Sequence, residues 1–289
     1  MAKVAFVGLG VMGYPMAGHL KAKGGHEVTV FNRTAAKAEQ WVSQHGGKST
    51  PTPRQAAAGQ DFVMACVGND NDLRQVMLGE DGVFAGVRPG AIVVDHTTAS
   101  AEIARELHAE AKKRGFEFID APVSGGQVGA ENGVLTVMCG GEPSPFAAAE
   151  KAIAAYARTC NLMGPSGSGQ LAKMANQICI AGIVEGLAEA LHFAMKAGLD
   201  IEKLIATISK GAAQSWQMEN RYKAMAAGKF DFGFAVDWMR KDLAICLDEA
   251  RRNSAKLPVT ALVDQFYAQV QAMGGRRWDT SSLIALLQH

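Results

Sequence analysis

What the chain lacks narrows its possible work. Its 289 residues include five cysteines, Cys66, Cys139, Cys160, Cys179 and Cys246. That odd count, without a C-x-x-C pair, suits reduced thiols packed in an apolar interior and argues against a disulfide framework. No H-E-x-x-H motif and no Cys/His cluster at ligand spacing occurs, so no metal is expected. Twenty-nine basic residues against 28 acidic ones give a formal net charge of +1. Such a mixture offers neither a broad cationic face for nucleic acid nor a polybasic patch for a membrane. The longest uninterrupted apolar tract, Ile178 to Val184, is far too short to span a bilayer. No basic segment, apolar stretch and cleavage site follow one another at the N-terminus, so the expectation is no secretory or transit peptide and a cytoplasmic location. Low-complexity segments and internal repeats are absent as well.

What is present is an apolar fraction of 48%, enough to fill a real core. Short β-branched or aromatic runs, VAFVG, HEVTVFN, DFVMACVG, AIVVDHT, FEFIDAP and VLTVMCGG, alternate with helical stretches at 11–23, 35–44, 70–77, 101–114 and 144–156. This alternation predicts an α/β fold with a doubly wound, mostly parallel sheet. After GPSGSG, Gly164 to Gly169, the pattern changes: residues 170–199 support one long helix, and only helical patterns follow. Two domains are therefore expected, 1–163 and an all-α 164–289.

GLGVMG, Gly8 to Gly13, follows the first predicted strand and opens a helix. In G-x-G-x-x-G the first glycine permits a tight turn, the second lets the backbone approach a pyrophosphate, and the third lets helix pack on strand. Strand, helix and second strand arrive in register, so a Rossmann-type dinucleotide site is read here, formed by Gly8, Leu9, Gly10, Val11, Met12 and Gly13. The second strand ends at Phe31. Where an NAD site usually carries an acid for the ribose 2′-OH stands Asn32, followed by Arg33 and Thr34, with Lys37 in reach. A 2′-phosphate would meet Arg33 through charge-assisted hydrogen bonds. NADP is the preferred cofactor on this reading; neutral Asn32 leaves NAD possible.

Chemistry in such sheets lies outside the carboxyl ends of the strands. One end offers Asp95, His96, Thr97 and Thr98, where a threonine can also serve as N-cap of the next helix. Another offers Asp120 and then Ser124, Gly125 and Gly126, read equally well as an anion cradle or as a flexible turn. On the long helix Gln170, Lys173, and Asn176 or Gln177 share one face. The surrounding positions are apolar on nearly every side, which marks a buried helix. A polar stripe there needs partners, and a ligand cavity would supply them. A narrow solvent face with Lys173 snorkelling is the commoner alternative.

Taken together, GLGVMG, DAPVSGG, the G-x-G-x-x-x-K of Gly167, Gly169 and Lys173, and the late FGF…KDL of Phe232 to Leu243 resemble the 3-hydroxyisobutyrate dehydrogenase or β-hydroxyacid dehydrogenase family almost end to end. The resemblance implies a Rossmann domain, a long interdomain helix, a helical C-terminal domain, and an active site in the cleft between them. It implies that Lys173 is the acid/base, that Ser124, Gly125 and Gly126 hold a substrate carboxylate, that Thr98 lies beside the nicotinamide, and that Lys241 closes over the cofactor. Two positions depart from the family pattern. Where members often have Asn four residues after the lysine, this chain has Gln177, with Asn176 one residue earlier, so either amide is a candidate substrate ligand. Where D-x-S-T is common, Asp95-His96-Thr97-Thr98 stands here.

The expected reaction is reversible oxidation of a small 3-hydroxy acid (the 3-hydroxyisobutyrate, 3-hydroxypropionate, serine or glycerate class) to its semialdehyde. Lys173 takes the hydroxyl proton, which for a lysine of reference pKa ~10.4 requires a depressed value near neutrality. The alternatives are reduction of glyoxylate or succinic semialdehyde on the same scaffold and, in another class, a non-catalytic NADPH-binding sensor. The resemblance also suggests a homodimer or homotetramer.

Overall fold

In β1, Lys3–Val7, successive side chains point to opposite faces, and both faces are covered. Val4 and Phe6 enter one apolar cluster while Ala5 and Val7 enter the other. Double coverage explains why the strand reads as a continuous apolar run. The computed structural model describes residues 1–288. They form two compact units, Met1–Lys173 and the chain from Met174 onward.

The first unit is built on nine strands. After β1 come β2 (Glu27–Phe31), β3 (Lys48–Ser49), β4 (Phe62–Ala65), β5 (Ile92–Asp95), β6 (Glu117–Asp120), β7 (Val123–Ser124), β8 (Leu135–Gly140) and β9 (Ala157–Gly164). Their order is β3-β2-β1-β4-β5-β6-β8-β7, with β9 on β8. Strands β1 to β6 pair parallel, β8 runs antiparallel to β6 and β7, and β9 is parallel to β8. The order reverses between β1 and β4, and such a reversal opens a crevice at the carboxyl ends. Helices α1 (Gly13–Ala22) and α2 (Ala35–His45) cover one face through Met16, Leu20 and Trp41. The short α3 (Pro53–Ala57), then α4 (Asp70–Leu78) and α5 (Ala101–Lys113), cover the other through Ala56, Leu73, Met77, Ile103 and Leu107. Two further helices, α6 (Gly126–Asn132) and α7 (Pro143–Ile153), complete the unit. The six expected strands are all present. The two-residue strands β3 and β7 and the short helices α3 and α6 were too brief to leave a periodic signal.

Helix α8, Ser168–Lys196, is the long helix expected from the sequence. From Met174 it belongs to the second unit, which continues with α9 (Ile201–Ile208), α10 (Trp216–Ala226), α11 (Val236–Asn253), α12 (Pro258–Ala272) and α13 (Ile284–Gln288). Ala181, Val184, Ala188 and Leu191 recur at helical spacing and pack with Met218, Met239, Leu243, Val263 and Tyr267. One expectation needs correcting here. By length and composition α8 is long and apolar enough to cross a membrane, with a mean hydropathy of 1.6 over its best window. Counting only the uninterrupted tract missed this, because single polar residues spaced along α8 break the run without changing its average. A second correction concerns the cysteines. Cys139 and Cys246 are buried, whereas Cys66 and Cys160 are half-buried and Cys179 is exposed.

Candidate active site

The glycine loop leaves the carboxyl end of β1. Gly8 has φ +95°, and a Cβ there would strike the Cys66 carbonyl; one on Gly13 would strike the Gly8 carbonyl and come within 2.9 Å of the Phe6 ring. Those two glycines are demanded by the chain itself. Gly10 is different: a Cβ there would meet nothing within 4 Å. The space over Gly10 is open, and a pyrophosphate would fit it at the start of a helix with no acid in its first turn. Leu9 faces inward, 1% exposed, and its N–H donates to Asn32 Oδ1 at 2.9 Å. Gly10, Val11 and Met12 are therefore the outward part of the loop.

Asn32 also donates from Nδ2 to the Thr34 carbonyl at 3.0 Å. Its carbonyl oxygen thus braces the glycine loop and its amide shapes the turn into α2. Arg33, Thr34 and Lys37 are all exposed at the start of that helix, and the Thr34 hydroxyl makes no capping bond. A cationic, hydroxyl-bearing rim at this place suits a 2′-phosphate and gives a 2′-OH no carboxylate.

Beyond β5 the polar residues are buried and interlocked. Asp95 accepts the Thr97 N–H at 3.0 Å. Burial pushes its carboxyl up to about 7, against the lowering effect of the Thr97 hydroxyl and N–H. His96 is 1% exposed. Its Nδ1 lies 2.7 Å from the Ala121 carbonyl, so it carries the proton, and Nε2 lies 2.8 Å from the Tyr156 hydroxyl. Burial lowers its pKa to about 4. A neutral histidine with both nitrogens engaged by the protein is a structural pin. The N-cap of α5 is Ser100, whose hydroxyl accepts the Ile103 N–H; neither Thr97 nor Thr98 caps it, because both fall too early in the loop. Thr97 Oγ1 instead accepts the Val67 N–H at 3.0 Å, and Thr98 is half-buried.

Asp120, at the end of β6, ties in the start of α8. Its carboxylate accepts the Gly167 N–H at 2.7 Å and the Gln170 N–H at 3.0 Å. Burial raises its pKa to about 6, and those N–H groups pull it back. Gly167 has φ +91°, and a Cβ on Gly169 would strike the Met138 carbonyl. Gly169 is thus explained by the close approach of α8 to the ends of β6 and β8, and Gly167 by its left-handed backbone against Ala101 and Arg105 of α5. Gln170 is fully buried; its Nε2 donates to the Thr97 carbonyl at 2.7 Å and its Oε1 accepts the Ala99 N–H at 3.1 Å.

Ser124 is half-buried at the end of β7, and Gly125 and Gly126 are exposed with φ of +126° and +62°. Both values favour glycine, the +126° of Gly125 most strongly. Gly126 opens α6, so the segment is a fixed turn into a helix. The carboxyl end of α6 is held from α1: the His19 Nε2–H is shared by the Ala130 and Glu131 carbonyls at 3.1 and 3.0 Å, and Lys23 donates to the Asn132 carbonyl at 3.3 Å.

Lys173 is 7% exposed, the one buried lysine or arginine among the described residues. The glycine loop, Thr98, Ser124 to Gly126 and Lys173 all belong to the first unit, the glycine loop following β1, Thr98 lying beyond β5 and Ser124 ending β7. Asn176, Gln177 and Lys241 belong to the second unit. There Gln177 is 2% exposed and donates to Asp242 at 2.6 Å, while Asn176 donates to the Gln177 oxygen at 2.8 Å. Lys241 lies 3.0 Å from the Asp242 carboxylate. The expectation that a ligand cavity supplies the partners of the α8 stripe is corrected at two positions, because the protein itself satisfies Gln170 and Gln177. Composition gave no sign of this: a side-chain amide bonded to a distant backbone looks, in sequence, like any amide.

Two family models cover nearly the whole chain. The NAD binding domain of 6-phosphogluconate dehydrogenase matches residues 3–164, and the NAD-binding domain of NADP-dependent 3-hydroxyisobutyrate dehydrogenase matches residues 167–287. The probable 3-hydroxyisobutyrate dehydrogenase-like 1 of Arabidopsis thaliana is 40% identical over 99% of this chain and 85% of its own. The 2-hydroxy-3-oxopropionate reductase of Escherichia coli is 32% identical over 99% and 97%. Among solved structures, Mycobacterium tuberculosis 3-hydroxyisobutyrate dehydrogenase with L-serine superposes with a TM-score of 0.90 at 30% identity, covering all of both chains. The chain is an oxidoreductase of the class that acts on hydroxyl groups. It belongs to the 3-hydroxyisobutyrate dehydrogenase, or β-hydroxyacid dehydrogenase, family.

Proposed function

We propose that this chain is an NADP(H)-preferring β-hydroxyacid dehydrogenase that interconverts a small 3-hydroxy acid and its semialdehyde. The observation that carries the reading is Lys173: a buried lysine on a helix whose first turns are tied by Asp120 and Gln170 to the loops beyond β5 and β6. When bound, NADP(H) supplies the hydride acceptor or donor. Ser124 and the backbone of Gly125 and Gly126 hold the substrate carboxylate, which turns C3 toward Thr98 and removes rotational freedom before reaction. Lys173 Nζ takes the hydroxyl proton during oxidation. During reduction its ammonium returns a proton to the developing alkoxide. Arg33 with Thr34 and Lys37 forms the rim for the 2′-phosphate.

Initial rates with 3-hydroxyisobutyrate, 3-hydroxypropionate, serine, glycerate and 4-hydroxybutyrate, each with NADP and NAD, test the reading. At least one 3-hydroxy acid is expected to turn over, with kcat/KM tenfold or more in favour of NADP. Lys173→Ala should lose roughly a thousandfold in kcat, the scale of a general acid/base, while NADPH binding stays within about twofold of wild type. Near-wild-type turnover in that variant refutes the assignment, and binding without turnover of any acid or aldehyde by the native protein points to a sensor.

A further inference from the structure

The loop from Asp95 to Ser100 is fastened at nearly every residue. The His96 N–H donates to the Ala65 carbonyl, and its ring is held by Ala121 and Tyr156. Thr97 is held by Asp95 and Val67. Ser100 is held by Asp70, through its N–H at 2.9 Å and its hydroxyl at 2.5 Å. The two peptide groups that flank Thr98 have another partner. The carbonyl of the first, on Thr97, accepts from Gln170 Nε2, and the N–H of the second, on Ala99, donates to Gln170 Oε1. A planar amide fills both roles at once, as a neighbouring strand would, and it does so 71 residues away in sequence at full burial.

Gln170 also sits three residues before Lys173, one turn back on the same helical face. Its own N–H is fixed by Asp120. We infer that Gln170 is a positioning residue: its side-chain amide clamps the backbone on both sides of Thr98 to the helix that carries Lys173, setting the distance between the proton-handling nitrogen and the place where the nicotinamide lies. The inference rests on the reading of Lys173 and Thr98 given above. Without the clamp the loop and the helix each keep their other anchors, so the fold persists while their mutual spacing relaxes. A displacement of about 1 Å between reacting groups costs on the order of a hundredfold in rate.

Two variants and two kinds of readout test it. Gln170→Leu keeps the volume and removes both hydrogen bonds. Hydrogen exchange at the Ala99 amide, measured on the free protein, should accelerate at least tenfold, while exchange within β5 and β6 stays as in wild type. In the NADP-dependent reaction kcat should fall tenfold to a hundredfold, with KM for the hydroxy acid and Kd for NADPH changed less than threefold. Gln170→Glu supplies a pH test that a purely structural role would not move. Protonated, the carboxyl donates to the Thr97 carbonyl and accepts from Ala99 as the amide does; ionised, it sets a carboxylate against a carbonyl. The ratio of its kcat to that of wild type should therefore be highest at low pH and fall as pH rises. Asp70, Asp95, His96, Asp120, Lys173 and Arg105, which lies beside Gly167, are the charged or titratable groups around the site and are common to both proteins, so their own titrations enter both sides of the ratio. If Gln170→Leu does not fold, the Gln170→Glu ratio decides. Unchanged Ala99 exchange overturns the clamp. Faster exchange with kcat within twofold of wild type, or a ratio flat with pH, overturns the positioning role. If wild type turns over none of the acids, the functional reading falls and with it the kinetic half of the proposal, while exchange still decides the clamp.

Discussion

Asn32 and Leu9 are joined by a 2.9 Å hydrogen bond from the Leu9 N–H to the Asn32 Oδ1, so the residue at the end of β2 is part of the glycine loop. Its other polar atom is spent on the Thr34 carbonyl. Asn32→Asp keeps the first bond, loses the second, and places a negative charge beside the position proposed for the 2′-phosphate. The expected outcome is a drop in kcat/KM for NADP of at least tenfold with NAD unchanged or improved. Arg33→Ala should cost NADP about tenfold to a hundredfold, the value of one hydrogen bond to a charged group at ~1.5–3 kcal/mol, and leave NAD nearly untouched. Parallel steady-state kinetics with the two cofactors decide both.

Gly10 and Gly13 separate the demands of ligand and fold. Gly10→Ala adds a methyl that meets no protein atom, so the melting temperature should stay within a few degrees of wild type while NADPH affinity falls at least tenfold. Gly13→Ala drives its methyl into the Gly8 carbonyl and the Phe6 ring. A loss of roughly 3 kcal/mol or more is expected, at the severe end for a single substitution. Circular-dichroism melts and NADPH fluorescence titration measure the two effects on the same samples.

Asp95 gives the stability a pH dependence of unusual sign for a carboxylate. Its folded value is about 7 against 3.8 unfolded. Below pH 3.8 both states hold the proton; between 3.8 and about 7 the unfolded chain releases it and the folded chain does not. Its contribution is therefore fully present at low pH and is lost as pH rises through that window. Asp120, at about 6, acts in the same direction, and His96, at about 4, in the opposite one. Asp95→Asn removes one member while leaving an oxygen for the Thr97 N–H. Relative to wild type the variant should gain stability between pH 4 and pH 7.5, on the order of a few kcal/mol. Urea denaturation at the two pH values gives the difference directly; a constant offset would contradict it.

His19 holds two carbonyls at the carboxyl end of α6. His19→Ala should speed amide exchange in α6 and lower stability by about 1 kcal/mol, the net worth of a typical hydrogen bond. Hydrogen exchange resolved to 126–132 checks it.

The sequence made the long regularities legible. Six strands carried β-branched runs because both faces of the sheet are buried, and α8 stood out as a long stretch apolar on nearly every side. The glycine loop was legible because two of its glycines are forced by close contacts within the chain and the third is left open. What the sequence could not show were interactions that depend on where a side chain ends. Ser100, not Thr97 or Thr98, caps α5 because the helix begins at Ala101 and Ser100 is the residue directly before it, a choice that three nearby hydroxyls left open. Gln170 and Gln177 looked like ligand-facing amides, yet each closes a bond to a residue more than 60 positions away. The short helix α6 was missed because its seven residues, two of them glycine, cannot generate a period.

Helix α1 begins at the dinucleotide loop and, ten residues on, its far end grips the carbonyls that finish α6. It behaves as a tie-bar, with one fitting at the loop proposed to hold the cofactor phosphates and the other at the far end of the helix opened by the turn proposed to receive the substrate acid, so both elements are fastened to a single piece of backbone.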